Sequence, residues 1–291
     1  MGVNVLETKN LNFVYSKGTG YELAAINDVN VEIEKGELVG IIGHTGSGKS
    51  TLIQHFNGIL KPSSGTVLLE GEDIWEDKSK IRQVRFKVGI CFQYPEYQLF
   101  EETVYKDIAF GPKNMGMSEE EIDKAVREAI SYVGLDESYL EKSPFDLSGG
   151  EKRRVAIAGV MAMKPEVLIL DEPAAGLDPK GRRVILSLIT DYRLLTGATV
   201  IVVSHSMDDI SKIATKILVM NESRLAYYDT VENVFSHADE LRSMGLNIPA
   251  VTSLFLKLKE RGYDVKTGIY NIEDAKKELL RLIKGGNENA F

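Results

Sequence analysis

The chain has 291 residues, 43% of them hydrophobic and 27% charged, with a net charge of −8. These are globular proportions with room for one large domain and an appendage, and the acidic balance argues against nucleic acid as a partner. The one cysteine, Cys91, excludes an internal disulfide and a cysteine-based zinc site. It lies in the apolar run Val88 to Phe92 and reads as a buried, inert thiol, in keeping with a reducing cytoplasm. The N-terminus carries no signal-peptide pattern, and the longest apolar runs, Val167 to Leu170 and Ala198 to Val203, fall far short of a membrane span. Action at a membrane would therefore go through a partner.

In chain order, residues 3–35 predict β-structure. Val3, Val5 and Leu6 lead into Leu11, Phe13 and Tyr15, and Ile26, Val29, Val31 and Ile33 alternate with polar residues. Tyr15 precedes a polar, glycine-containing loop, Ser16 to Gly20. It could stack on a purine ring or be an edge-strand tyrosine, and the residues alone leave both open. The apolar run Glu37 to Ile41 then enters Ile42-Gly43-His44-Thr45-Gly46-Ser47-Gly48-Lys49-Ser50-Thr51, and Leu52 to Leu60 reads as helix. Strand, glycine loop and helix are the context a phosphate-binding loop requires. Gly43, Gly46 and Gly48 let the backbone turn its N–H groups onto a polyphosphate. A helix starting near Gly48 aims its positive end at the same place. Lys49 can reach the β and γ phosphates, and the Ser50 hydroxyl can bind Mg²⁺.

Lys61 to Gly65 is a turn, Thr66 to Glu70 a short strand, and residues 76–87 a charged helix. Val88 to Phe92 predicts a buried strand ending in Gln93. Tyr94-Pro95-Glu96-Tyr97-Gln98-Leu99-Phe100 is a loop rich in aromatics. Its Leu99 and Phe100 either pack inside the structure or line a groove for a partner's helix. Residues 102–146 read as a helical insertion. There Ser118 and Glu121 form a capping box, Ile122, Ala125, Val126, Ala129, Ile130 and Val133 share one face, and Gly134 stops the helix. Leu147-Ser148-Gly149-Gly150-Glu151 opens a helix over Lys152 to Met163. Val167 to Leu170 predicts a buried parallel strand running into Asp171-Glu172, carboxylates at the edge where open α/β sheets place ligands. Asp171 suits Mg²⁺, and Glu172 suits polarising an attacking water. A helix over 179–196, started by Asp178-Pro179, a strand Ala198 to Val203 ending at Ser204-His205, a short helix Met207 to Ile213 and strands Ile217 to Met220 and Leu225 to Tyr228 follow. From 231 the pattern is helical, over Val231 to Met244, Ile248 to Arg261 and Ile272 to Ile283, with a frayed tail over Gly285 to Asn289.

With these motifs in place, residues 3–230 resemble the ATP-binding cassette (ABC) ATPases. Leu147-Ser148-Gly149-Gly150-Glu151 matches that family's Leu-Ser-Gly-Gly-Gln signature at all but the last position. Tyr15, the phosphate loop, Gln93, the signature, Asp171-Glu172, Ala175-Gly176-Leu177-Asp178 and His205 occur in family order. The resemblance implies an α/β fold with a mostly parallel sheet, an antiparallel β-subdomain and a helical subdomain inserted at about 99–163. Residues 1–230 would be the nucleotide-binding domain and 231–291 a helical extension used in dimerisation. It implies ATP and Mg²⁺ as cofactors, with Ser50, Gln93 and Asp171 toward the metal. Glu172 would be general base or water-orienting group, and His205 would contact the γ-phosphate. Gln93 and Lys49 are counted with the catalytic set. Tyr15, the run Gly43, His44, Thr45, Gly46, Ser47, Gly48, Lys49, Ser50 and Thr51, and from the facing subunit Ser148, Gly149, Gly150 and Asp178, would bind nucleotide or couple its two sites.

The branch is indicated by Tyr94 to Phe100, by Arg153-Arg154-Val155-Ala156-Ile157-Ala158-Gly159, and by Glu172-Pro173-Ala174-Ala175-Gly176-Leu177-Asp178. These resemble the ATPases of energy-coupling factor (ECF) transporters, importers of vitamins and transition-metal ions, and within them the second of two paralogues. The implied partners are a second cassette (paralogue or self) in a head-to-tail dimer, a transmembrane coupling subunit docking near Gln93 to Phe100, and a separate membrane substrate-binding subunit. The implied location is the cytoplasmic face of the cell membrane. Another class of ABC transporter, or a non-transport ABC ATPase acting on nucleic acid or ribosomes, is the alternative. The latter lacks support from zinc cysteines, long coiled-coil insertions or a second cassette in this chain.

Overall fold

The computed structural model describes residues 2–286. Its elements are, in order, Asn4–Tyr15 (β1), Leu23–Glu34 (β2), Leu38–Ile42 (β3), Lys49–Phe56 (α1), Ser64–Leu69 (β4), Glu72–Asp73 (β5), Ile81–Lys87 (α2) and Val88–Cys91 (β6). Val104–Met115 (α3), Glu119–Tyr132 (α4), Gly149–Met161 (α5), Val167–Asp171 (β7), Pro179–Thr196 (α6), Thr199–Val203 (β8) and Met207–Ile213 (α7) follow. Lys216–Asn221 (β9), Arg224–Thr230 (β10), Val231–Ser236 (α8), Ala238–Ser243 (α9), Ala250–Glu260 (α10) and Ile272–Gly286 (α11) complete the chain.

Two sheets result. The smaller is antiparallel in the order β2-β1-β4-β5. The larger runs β10-β9-β3-β8-β7-β6, parallel from β9 to β6, with β10 antiparallel at the edge. The central strands β3, β7 and β8 are near-continuous apolar runs because both of their faces are covered. Val39, Ile41, Val167, Ile169, Ile201 and Val203 pack toward the antiparallel sheet and α1. The alternating residues Leu38, Ile42, Leu168, Leu170, Val200 and Val202 pack in the core formed with the helices.

The helices start and stop where the local chemistry dictates. Ser118 and Glu121 form the capping box of α4. Asp178 Oδ1 accepts from the Gly181 N–H at 2.6 Å to begin α6, which ends on Gly197 in the left-handed conformation. The predicted helix over 152–163 begins earlier, at Gly149. Ser148 is its N-cap, and Glu151 closes a second capping box. The helix predicted over 231–244 breaks at His237 into α8 and α9. In the tail, α11 continues through Gly286 where fraying was expected, and the rest of the tail lies outside the described residues. Phe235, Leu241 and Leu246 join the main core, while Phe255, Val265, Ile269 and Ala275 form a small core of their own. No helix among the described residues is long and apolar enough to cross a membrane.

Candidate nucleotide-binding site

Parallel strands deliver their C-terminal ends to one edge, and here that edge is the site. β3 ends at Ile42, β7 at Asp171 and β8 at Val203, with Ile41 and Asp171 both in register with Val203. The phosphate loop, the acidic pair and His205 therefore leave the sheet side by side. They line a cleft of about 470 Å³ together with Tyr15, Gln93 and Ser223.

The loop wraps around Lys49, whose Nζ donates to the carbonyls of Gly43 at 2.8 Å and His44 at 2.9 Å. Burial pushes its pKa down, and the nearby Glu172 and Asp171 carboxylates oppose that shift. Gly48 sits at φ +101° as the N-cap of α1, and a Cβ there would meet the Ala25 carbonyl oxygen at 2.4 Å. Only glycine fits that turn. The Ser47 side chain points inward, fully buried and without a hydrogen-bond partner among the described residues, so this residue can offer a ligand only its backbone. The His44 ring contacts the Thr45 carbonyl at 2.9 Å and is not part of the cleft lining.

Facing the loop, the Ser50 hydroxyl donates to Asp171 Oδ2 at 3.4 Å. A hydroxyl, a carboxylate and the Gln93 amide on one lining are the oxygen donors a hard divalent cation takes, so these residues fit Mg²⁺. Glu172 holds a left-handed backbone, φ +52°, fixed by its N–H donating to the Val203 carbonyl at 2.9 Å. His205 Nε2 lies 3.5 Å from Glu172 Oε1 without forming a hydrogen bond, and that oxygen has no hydrogen-bond partner among the described residues. Nor is this contact a full ion pair near neutrality. Burial, aided by Asp171, raises Glu172 to about 7, while burial and then the Lys49 charge lower His205. Tyr15, at the rim, shares a 3.2 Å hydrogen bond with Thr51 Oγ1 and is held edge-on by Phe13.

A family model described as ABC transporter matches residues 26–175. The chain belongs to the ABC transporter family. The Energy-coupling factor transporter ATP-binding protein EcfA2 of Clostridium tetani is 55% identical over 285 residues, 98% of this chain and 99% of that protein. The structure of cbiO1 from Clostridium perfringens, part of the ABC transporter complex cbiONQ, superposes with a TM-score of 0.74 at 41% identity, covering 82% of this chain and 94% of that one. A dimeric ATP-binding cassette in a post-hydrolysis state with ADP and Pi superposes with a TM-score of 0.69 at 28% identity, covering 77% and 98%. The chain is thus an ABC ATPase of the ECF transporter ATP-binding group, an enzyme whose ATPase activity is coupled to transport.

Within this ABC ATPase, the predicted residues divide into two sets. Tyr15, Thr45, Gly46, Gly48, Lys49, Ser50, Thr51, Gln93, Asp171, Glu172 and His205 share the cleft. Ser148, Gly149, Gly150 and Asp178 do not line it. A Cβ on Gly149 or Gly150 would meet nothing within 4 Å, so no neighbour among the described residues requires either glycine. The carboxylate of Asp178 is engaged in capping α6. Two residues were not singled out in the sequence. Arg153 on α5 is buried against Glu96 of the aromatic loop, and 57 residues separate them, so no local pattern announces the pair.

Proposed function

We propose that this ABC ATPase energises an ECF-type importer of vitamins or transition-metal ions by closing head to tail with a second cassette around ATP. The observation that carries this is the division of the site. One cleft is lined by glycine-loop residues, the candidate metal ligands and the candidate base, while Ser148, Gly149 and Gly150 lie outside that lining, with open space where side chains on the two glycines would stand. A helix N-terminus whose two glycines leave room for an approaching anion suits the γ-phosphate held by a facing subunit.

In this reading Lys49 and the loop N–H groups hold the phosphates, and Tyr15 stacks on the purine. Ser50, Gln93 and Asp171 would hold Mg²⁺, which when bound neutralises phosphate charge. Glu172, with a pKa near 7, takes the proton of the attacking water, and neutral His205 orients that water and the γ-phosphate. Asp178, at the start of α6, couples the two sites across the interface. ATP favours the closed dimer because it contacts both halves only there, and hydrolysis removes that difference.

Docking of a transmembrane coupling subunit is assigned to the groove lined by Phe86, Leu99, Phe100, Phe110, Val155 and Met163, about 330 Å³ in volume. Leu99 packs against the core, whereas Phe100 is 57% exposed and meets exposed Phe110 edge to face at 5.0 Å. An exposed aromatic pair beside an apolar groove suits a partner's helix. Substrate choice would rest with a separate membrane subunit, and the chain would lie peripherally on the cytoplasmic face. Affinity purification of the tagged chain from native membranes, followed by mass spectrometry, tests this. A polytopic coupling protein and a small membrane substrate-binding protein are expected to co-purify; recovery of only ribosomal or DNA-bound partners would overturn it.

A further inference from the structure

We infer that the buried Arg153–Glu96 pair is a positioning joint, linking the membrane-facing loop to both halves of the ATP site. The inference rests on the transporter reading above. Arg153 lies on α5, one turn beyond Gly149 and Gly150, and its side chain is 3% exposed; that of Glu96 is 13% exposed. The contact is bidentate: Nε donates to Glu96 Oε2 at 2.9 Å and Nη2 to Oε1 at 2.5 Å. The remaining nitrogen, Nη1, donates to the Pro173 carbonyl at 3.3 Å and to the Ala175 carbonyl. The guanidinium also lies 5.8 Å from the centre of the Tyr94 ring.

One planar cation thus joins three segments. The first is the 94–98 turn, which leads into the docking groove. The second is α5, whose first turn carries Ser148 to Gly150. The third is the 173–176 loop, which runs from Glu172 to Asp178. The first and third segments are held by directional bonds to a rigid fork that the second carries, so a displacement of Glu96 is passed to the other two. An apolar replacement could fill the volume but would transmit no direction, and a lysine could not make the paired bonds. The buried charge is tolerated because Glu96 neutralises it. Burial alone would raise Glu96, but the hydrogen bonds and charge of Arg153 outweigh that and hold its carboxyl below the ordinary range. Tyr94 holds φ +55°, and a Cβ added to Gly176 would lie 3.9 Å from its ring, so the ring lies beside the 173–176 loop.

The test uses the intact membrane complex, co-purified with the tagged chain and reconstituted in nanodiscs with ATP as the probe. Glu96→Gln keeps the shape and an acceptor but removes the charge. We expect kcat for ATP to fall at least tenfold, KM to move less than twofold, and the membrane partner to be retained in wild-type amount. Arg153→Lys is expected to fall between wild type and Glu96→Gln. Unchanged kcat in Glu96→Gln overturns the inference. So does a loss of kcat that tracks loss of the bound partner, which would make Glu96 a docking contact only. A drop in thermal midpoint with normal kcat per folded molecule would make the pair merely structural and also overturns it. The two readings fail differently: a wild-type chain that captures no membrane protein removes the transporter reading and the joint with it, whereas a stimulated wild type beside an equally stimulated Glu96→Gln removes only the joint.

Discussion

Glu172 sits where burial and chemistry pull against each other. Its side chain leaves water beside Asp171, and no donor among the described residues satisfies Oε1, so burial and the Asp171 charge outweigh the His205 backbone N–H and make ionising it in the folded protein unfavourable. The ordinary value of 4.5 rises to about 7. The folded pKa lies above the unfolded one, so the native state carries no penalty below about 4.5, a growing one between about 4.5 and about 7, and the full one above that. The full difference corresponds to an upper limit of roughly 3 kcal/mol. Glu172→Gln is therefore expected to melt higher than wild type at pH 8 and level with it at pH 4.5, by thermal denaturation without nucleotide. Wild-type hydrolysis should rise with pH through about 7, as a base that must be ionised requires. A variant that melts lower at pH 8 would show that Glu172 has stabilising partners when ionised. Cys91, by contrast, is buried as its apolar run predicts, and burial pushes its thiol up to about 12.

Elements explain what single residues cannot. The last residue of the Leu-Ser-Gly-Gly-Glu run departs from the family's glutamine, yet α5 gives the glutamate clear work. Glu151 Oε2 accepts from the Ser148 N–H at 2.9 Å and from its hydroxyl at 2.6 Å, and Tyr139 donates to Oε1 at 2.7 Å. Those bonds keep it ionised, with its pKa lowered to about 2. Either Glu or Gln completes such a box, so the departure leaves the helix start intact. The loop after β6 divides its hydrophobics in the same way. Leu99 serves the core and Phe100 the surface, a distinction that aromatic content alone does not make. Phe100→Asp should lower recovery of the membrane partner at least tenfold in pull-downs while leaving the melting temperature within a few degrees, because the ring is mostly exposed. Undiminished capture would remove the groove as the docking site.

At the scale of the whole molecule, the two unconnected halves of the site make a dimer the functional unit in the proposed mechanism. Glu172→Gln, which retains the phosphate loop, should bind MgATP and accumulate as a dimer in sedimentation velocity, while wild type with ADP remains monomeric. A variant that stays monomeric in saturating MgATP would remove closure from the mechanism. The C-terminal helices are fastened to this machine: the Ala250 N–H donates to Asp208 Oδ1 at 3.1 Å, on the short helix α7 that follows His205.

What depends on local chemistry is legible along the chain: the glycine loop, the buried strands as apolar runs, the capped helix starts, and the family order of Gln93, Asp171, Glu172 and His205. Those signals are short-range, set by turn sterics, hydrogen-bonding termini and burial on both strand faces. What depends on distant segments meeting emerges with the fold. Strand register brought Lys49, Asp171 and His205 to one edge, and α5 was turned so that Arg153 reached Glu96 while Ser148 and the two glycines faced outward. The physical reason is that these contacts are long-range. A buried charge acquires its partner, and a carboxylate its pKa, from groups that no spacing along the chain encodes.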